Sequence, residues 1–133
     1  EGYLTIETAR WANTVIAIDR SEAVLERARE LARRRRVANI TWKKGDLSKL
    51  PLKDATVDVA LLSQALHHAR QPSRAIAEAV RILRPGGRLL VETSIHQASS
   101  SVGIFTRAGL LAQIVHSDEL DATVVVGTRP ADY

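Results

Sequence analysis

A chain of 133 residues fits a single domain with one core, residues 1–133. Hydrophobic residues at 45% and charged ones at 26% are ordinary for a soluble globular protein, no apolar run approaches the ~20 residues that span a bilayer, and no secretory pattern opens the chain. Cysteine is absent, which excludes disulfides, thiolate metal sites and a cysteine nucleophile and points to the cytoplasm; the net charge of +4 permits nucleic-acid contact without demanding it. There is no methionine even at position 1, so Glu1 is expected to be an internal residue of a longer polypeptide.

Leu4, Thr8, Trp11 and Ala12 stand at helical spacing, which predicts a helix over residues 3–12. The run Thr14-Val15-Ile16-Ala17-Ile18 then leads into Asp19, as expected of a strand buried on both faces of a parallel sheet. An acid at the carboxyl end of such a strand faces the crevice where α/β sheets bind ligands and can accept from ribose hydroxyls. It can equally serve as a local cap, and both readings stand at this point.

Ser21 suits the N-cap of a helix predicted from Glu22 to Arg35, with Val24, Ala28, Leu31 and Ala32 as its buried stripe. Glu26 and Glu30 precede Arg29, Arg33 and Arg34 by three or four residues, giving weak surface pairs. The run Arg33 to Arg36 reads as a solvated helix end complementing the dipole rather than as a nucleic-acid patch. Asn39 to Lys43 alternates as a short strand with Ile40 and Trp42 on one face, and Gly45-Asp46-Leu47 follows at its carboxyl end. The loop from Leu50 to Asp54 precedes a mostly apolar strand from Val57 to Leu62, which ends at Ser63-Gln64.

After His67-His68 a helix is predicted from Pro72, burying Ala75, Ile76, Ala79, Val80 and Leu83. Arg84-Pro85-Gly86-Gly87 stops it, and a strand follows from Arg88 to Thr93. Strand, helix, strand, helix, strand means βαβ units and a parallel sheet. Ser99-Ser100-Ser101 reads as a flexible loop, and Thr106 as the cap of a short helix through Leu111. Ala122 to Thr128 is a strand, with Ile114-Val115 as its hairpin partner through Ser117-Asp118-Glu119.

Several segments together resemble the class I S-adenosylmethionine-dependent methyltransferases of the small-molecule type, and most nearly the subgroup found alone or fused behind an ArsR-type winged-helix regulator. Glu1-Gly2-Tyr3-Leu4-Thr5 resembles the tail of the family's glycine-rich loop, and Ala17-Ile18-Asp19-Arg20-Ser21 its second strand with the ribose-binding acid. Gly45-Asp46-Leu47, Leu50-Pro51 and Val57-Asp58 resemble the segment whose acid reads the adenine amino group. Leu62 to His68 resembles the stretch after the fourth strand, and Leu83-Arg84-Pro85-Gly86-Gly87-Arg88-Leu89 the turn into the fifth. The resemblance runs from Glu1 to about Ser94.

It implies an α/β, Rossmann-like doubly wound fold, mostly parallel, with an antiparallel C-terminal strand and the first strand missing. Residues 1–133 are then an N-terminally incomplete methyltransferase domain. S-adenosylmethionine is the implied cofactor, held by Gly2, Asp19, Arg20, Asp46, Leu47 and Ser63. Gly2 precedes Asp19 by seventeen residues, near the ~20 that separate a glycine loop from its ribose acid. No catalytic residue is assigned: His67 and His68 are either a base or packed and solvated groups, and His96 and His116 give no metal spacing.

Three functions follow. Methyl transfer to a small-molecule acceptor is favoured. A nicotinamide-dependent Rossmann enzyme shares an acid such as Asp19 but does not account for Asp46 or Pro85-Gly86-Gly87. A non-catalytic cofactor-sensing module serving a fused winged-helix DNA-binding domain outside this chain is consistent with the positive charge. No membrane partner is expected.

Overall fold

The computed structural model describes residues 6, 9–63, 71–119 and 121–131. Hydrogen bonding groups their strands into two sheets, one in each of two compact units, Glu1–Leu47 and Ser48–Tyr133.

In the first unit, Ile6 and Ala9 are helical and buried, in keeping with the expected opening helix. Trp11 departs from that expectation: Arg10 begins a turn and the indole is 91% exposed. The β-branched run forms β1 (Val15–Asp19), followed by α1 (Glu22–Arg34) and β2 (Ile40–Lys44), which pairs with β1 in parallel. Asn39 sets the start of this ladder. Its Nδ2 donates to the carbonyls of Ala9 and Ala12 at 2.8 and 2.9 Å, and its own carbonyl accepts from Val15 N–H at 2.9 Å.

Ser21 caps α1 as expected, its Oγ accepting from Val24 N–H at 3.2 Å. The buried stripe is Leu25, Ala28 and Ala32, while Val24 and Leu31 are half-buried. The expected stripe is thus rotated, because Leu25 supplies the larger apolar side chain on the face where Ala28 and Ala32 already sit. Glu26–Arg29 and Glu30–Arg33 form the expected exposed ion pairs. All four arginines of the 33–36 run are exposed at the helix end, where Arg36 takes a φ of 58°.

In the second unit, β3 (Val57–Ser63), α2 (Pro72–Ile82) and β4 (Leu83–Thr93) form a second parallel β-α-β unit. Next come α3 (Ala98–Arg107), β5 (Leu111–Ser117) and β6 (Ala122–Thr128), the last two an antiparallel hairpin. The strand order is β3-β4-β6-β5, with β6 antiparallel to β4. β4 is therefore hydrogen-bonded on both sides, and its Leu89 and Val91 are fully buried with Val125 of β6. From α2, Ala75, Ile76, Ala79 and Ile82 are buried, with Val80 only half-buried. Leu83 is buried as expected, but as the first residue of β4.

Two expectations for the C-terminal third are corrected. The serine run at 99–101 is not a loop but part of α3, and Thr106 lies inside that helix rather than capping another. Ala98, Ser101 and Phe105 form the helix's buried face, and the Ser101 hydroxyl donates to the Gln97 carbonyl at 3.2 Å. A serine so paired is acceptable in a helix interior. Phe105 packs so closely over Gly127 that a Cβ there would lie 2.6 Å from the ring.

The Pro85-Gly86-Gly87 turn is a bulge within β4, since Val57 pairs with Leu83 but Val59 with Arg88. It is stitched to the end of β6 by two 2.8 Å bonds, Gly86 N–H to Arg129 O and Arg129 N–H to Gly87 O. Gly86 has φ +83°, which side chains tolerate poorly, while a Cβ on Gly87 would sit 2.8 and 2.9 Å from the Arg84 and Asp58 carbonyl oxygens. Gly86→Ala is expected to cost about 1 kcal/mol and Gly87→Ala about 2–3 kcal/mol in denaturant unfolding. The reverse order would refute the close-approach account.

Glu78 and Arg81 of α2 form a bidentate pair at 2.7 and 3.1 Å. The bonded Arg81 guanidinium holds the Glu78 carboxyl below the ordinary glutamate value of 4.5; partial burial opposes it, and the Leu50 N–H adds to the lowering. A depressed folded-state pKa gives stability that is present above the unfolded value and lost as pH falls through the folded one. Wild-type stability should therefore fall more steeply below pH 4.5 than that of Glu78→Gln, measured by urea midpoints across an acid series. Parallel curves would remove Glu78 from the acid transition.

Candidate functional site at the carboxyl end of β1

Parallel pairing aligns the carboxyl ends of β1 and β2, with Asp19 opposite Lys44. One residue further, Gly45 N–H donates to the Asp19 carbonyl at 2.9 Å. Asp46 is next in the chain, so the two acids singled out from the sequence stand at the same end of one ladder. That is where open α/β sheets bind ligands.

Asp19 is half-buried, and its Oδ1 accepts from Ser21 N–H at 2.8 Å. No other described residue donates to its Oδ2. The carboxylate thus serves as the local cap: one oxygen fixes the turn into α1, and the other accepts from no other described residue. An ionised carboxylate only accepts, so the oriented Oδ2 is available to a donor such as a ribose hydroxyl. The residues fit the cofactor on this count.

Arg20 and Asp46 are exposed and Leu47 is half-buried. Ser63 belongs to the second unit, where it ends β3 opposite Glu92. Gly2, Gln64, His67 and His68 lie outside the described residues. The structure therefore brings together Asp19, Arg20, Asp46 and Leu47. Among the described residues no group of three His, Asp or Glu stands where it could hold a metal ion.

Sequence inspection missed two backbone donors: Ser21 N–H, which orients the carboxylate, and Gly45 N–H, which fixes the ladder's end. The signal for the first was present, since Asp-x-Ser before a helix is a frequent turn in which an aspartate accepts from a backbone two residues on.

The methyltransferase domain family matches residues 1–91, more than half of the chain. The chain belongs to this family. A probable S-adenosylmethionine-dependent methyltransferase of Mycolicibacterium smegmatis is 37% identical over 93 residues, covering 70% of this chain and 34% of the relative. A ubiquinone/menaquinone biosynthesis C-methyltransferase of Ruegeria is 39% identical over 75 residues, 56% of this chain and 30% of the relative. The chain spans between 22% and 44% of the length of the curated relatives it matches. A crystal structure of an S-adenosylmethionine-dependent methyltransferase from Aquifex aeolicus superposes with a TM-score of 0.85, covering 96% of this chain and 76% of that one. At 19% identity that likeness concerns the Rossmann-like α/β fold. Both this neighbour and the Mycolicibacterium smegmatis relative are named as S-adenosylmethionine-dependent.

The capping and ribose-binding readings of Asp19 separate by substitution. Asp19→Asn keeps a carbonyl oxygen for Ser21 N–H and loses the charge, so the affinity for S-adenosylhomocysteine should fall about tenfold with little change in melting temperature. Asp19→Ala should lose both affinity and stability. An unchanged calorimetric Kd for the asparagine variant would leave Asp19 a cap and nothing more.

Proposed function

We propose that this methyltransferase domain serves an enzyme that transfers the methyl group of S-adenosylmethionine to a small-molecule acceptor. The observation that carries the reading is the pairing of acids at one strand end: Asp19 with an oriented acceptor oxygen, and Asp46 one residue beyond the Gly45–Asp19 hydrogen bond. The small-molecule acceptor is supported by relatives named for it, the ubiquinone/menaquinone biosynthesis C-methyltransferase and an arsenite methyltransferase of Halobacterium salinarum. Because the relatives are longer, the activity is assigned to the full-length protein.

Bound S-adenosylmethionine supplies a sulfonium that is its own leaving group. The chain's residues bind and orient. Asp19 accepts from the ribose, Asp46 accepts from the adenine amino group, Leu47 covers the ring, and Arg20 stands at the rim. Gly2 and Ser63 complete the proposed set at the methionine end. Holding the nucleophile and methyl in line at near-contact distance, with water excluded, is then most of the catalytic task. The proposal extends to a location in the cytoplasm, supported by the absence of cysteine. Among the described residues, no helix is long and apolar enough to cross a membrane.

The test is calorimetry with S-adenosylhomocysteine on the full-length protein, paired with transfer of a labelled methyl group to a panel of small acceptors. Micromolar binding with label on at least one acceptor is expected. Binding of a nicotinamide cofactor in its place would overturn the reading. Cofactor binding without turnover, together with salt-sensitive DNA binding, would assign the chain instead to a sensing module behind a winged-helix domain.

A further inference from the structure

The loop that follows Asp46-Leu47 contains no regular element until β3, yet it is tightly held. One face of α2 grips it at every second residue. Arg74 Nε donates to the Ser48 carbonyl at 3.0 Å. Glu78 Oε1 accepts from Leu50 N–H at 2.8 Å, and Arg81 Nη2 donates to the Leu50 carbonyl at 3.1 Å. Arg81 Nη1 donates to the Leu52 carbonyl and to Asp54 Oδ1, each at 2.8 Å.

Residues 74, 78 and 81 follow helical spacing and so present one face of α2 to the turns and bends between residues 47 and 55. Side chains of a helix thus satisfy the backbone groups of this irregular segment. The Glu78–Arg81 pair is itself bidentate, which fixes both planes before either meets the loop. Glu78 and Asp54 both favour the charged form of Arg81. At the far end, Ala55 N–H and Thr56 N–H donate to the Arg81 and Ile82 carbonyls at 2.9 and 2.8 Å.

This is more restraint than a surface connection needs, since loops ordinarily keep their backbone groups solvated. It begins at Ser48, two residues after the acid proposed to read adenine. A segment that must be ordered on binding loses affinity for that ordering; one ordered beforehand does not. We propose that Arg81, locked by Glu78, is a positioning residue for cofactor binding: by clamping Leu50, Leu52 and Asp54, beside the hold of Arg74 on Ser48, it preorders the chain that carries Asp46 and Leu47. The inference rests on the assignment of Asp46 to the cofactor.

The test is a double-mutant cycle on the full-length protein, read as the calorimetric Kd for S-adenosylhomocysteine. Arg81→Leu is expected to weaken binding about tenfold and Asp46→Ala by a similar factor, whereas the double variant weakens it by much less than the product. Arg81→Lys, which keeps the charge and a single donor nitrogen, should recover part of the loss. Hydrogen exchange should show faster exchange at Leu50 in the Arg81→Leu protein while the buried β4 amides stay protected.

Multiplicative effects in the cycle, or unchanged affinity in Arg81→Leu, would overturn the positioning role. Unchanged affinity in Asp46→Ala would instead sink the assignment of Asp46 beneath it. Should Arg81→Leu fail to fold, Glu78→Gln decides by the same cycle, since it keeps an acceptor for Leu50 N–H and weakens only the hold on Arg81.

Discussion

A single backbone hydrogen bond, Gly45 N–H to Asp19 O, closes the parallel ladder of the first unit, and the candidate site depends on it. Parallel pairing alone brings the carboxyl ends of β1 and β2 level. This last bond carries the alignment one residue past β2, so Asp46 emerges where Asp19 ends. Asn39 fixes the opposite end of the ladder by binding the turn that delivers β1. Register is therefore pinned at both ends by polar contacts rather than by the few apolar side chains of two five-residue strands.

The second unit solves a different problem, because its central strand does most of the packing. β4 carries Leu89 and Val91 into the core, meets β3 in parallel and β6 in antiparallel pairing, and contains a glycine bulge tied to Arg129. The antiparallel addition of β6 and β5 needs no crossover helix, which leaves α3 free to cover the inward face of β6 at Gly127 and Val125. A side chain at 127 would push Phe105 outward, so the smallness of that residue is a packing requirement and not a turn signal.

How much was legible in the sequence follows from which forces act locally. β1, β6 and the N-cap of α1 were readable, because β-branched runs and Ser21 act through their own backbone. The helix α3 was not, since three successive serines carry a loop propensity that only tertiary burial of Ala98, Ser101 and Phe105 overrides. The stripe of α1 was displaced by one residue for a related reason: Val24 and Leu25 are equally apolar, and only the partner surface selects between them. At the site, the acids were visible as residue types at strand ends. Their alignment through Gly45 was invisible, because it is a backbone bond between segments more than twenty residues apart.

The capping role of Asp19 does not exclude the proposed ribose contact. A carboxylate has two oxygens, and the Ser21 N–H uses one of them at 2.8 Å. That bond fixes the side-chain plane, and fixing the plane is what aims the remaining oxygen. A capping acid at a strand-to-helix turn is consequently a preoriented acceptor, at no further cost in side-chain entropy when a ligand arrives. The same economy holds in the second unit, where the ion pair that stabilises α2 also holds the loop downstream of Asp46. In both places a contact that the fold requires leaves a polar group of the chain already set in position.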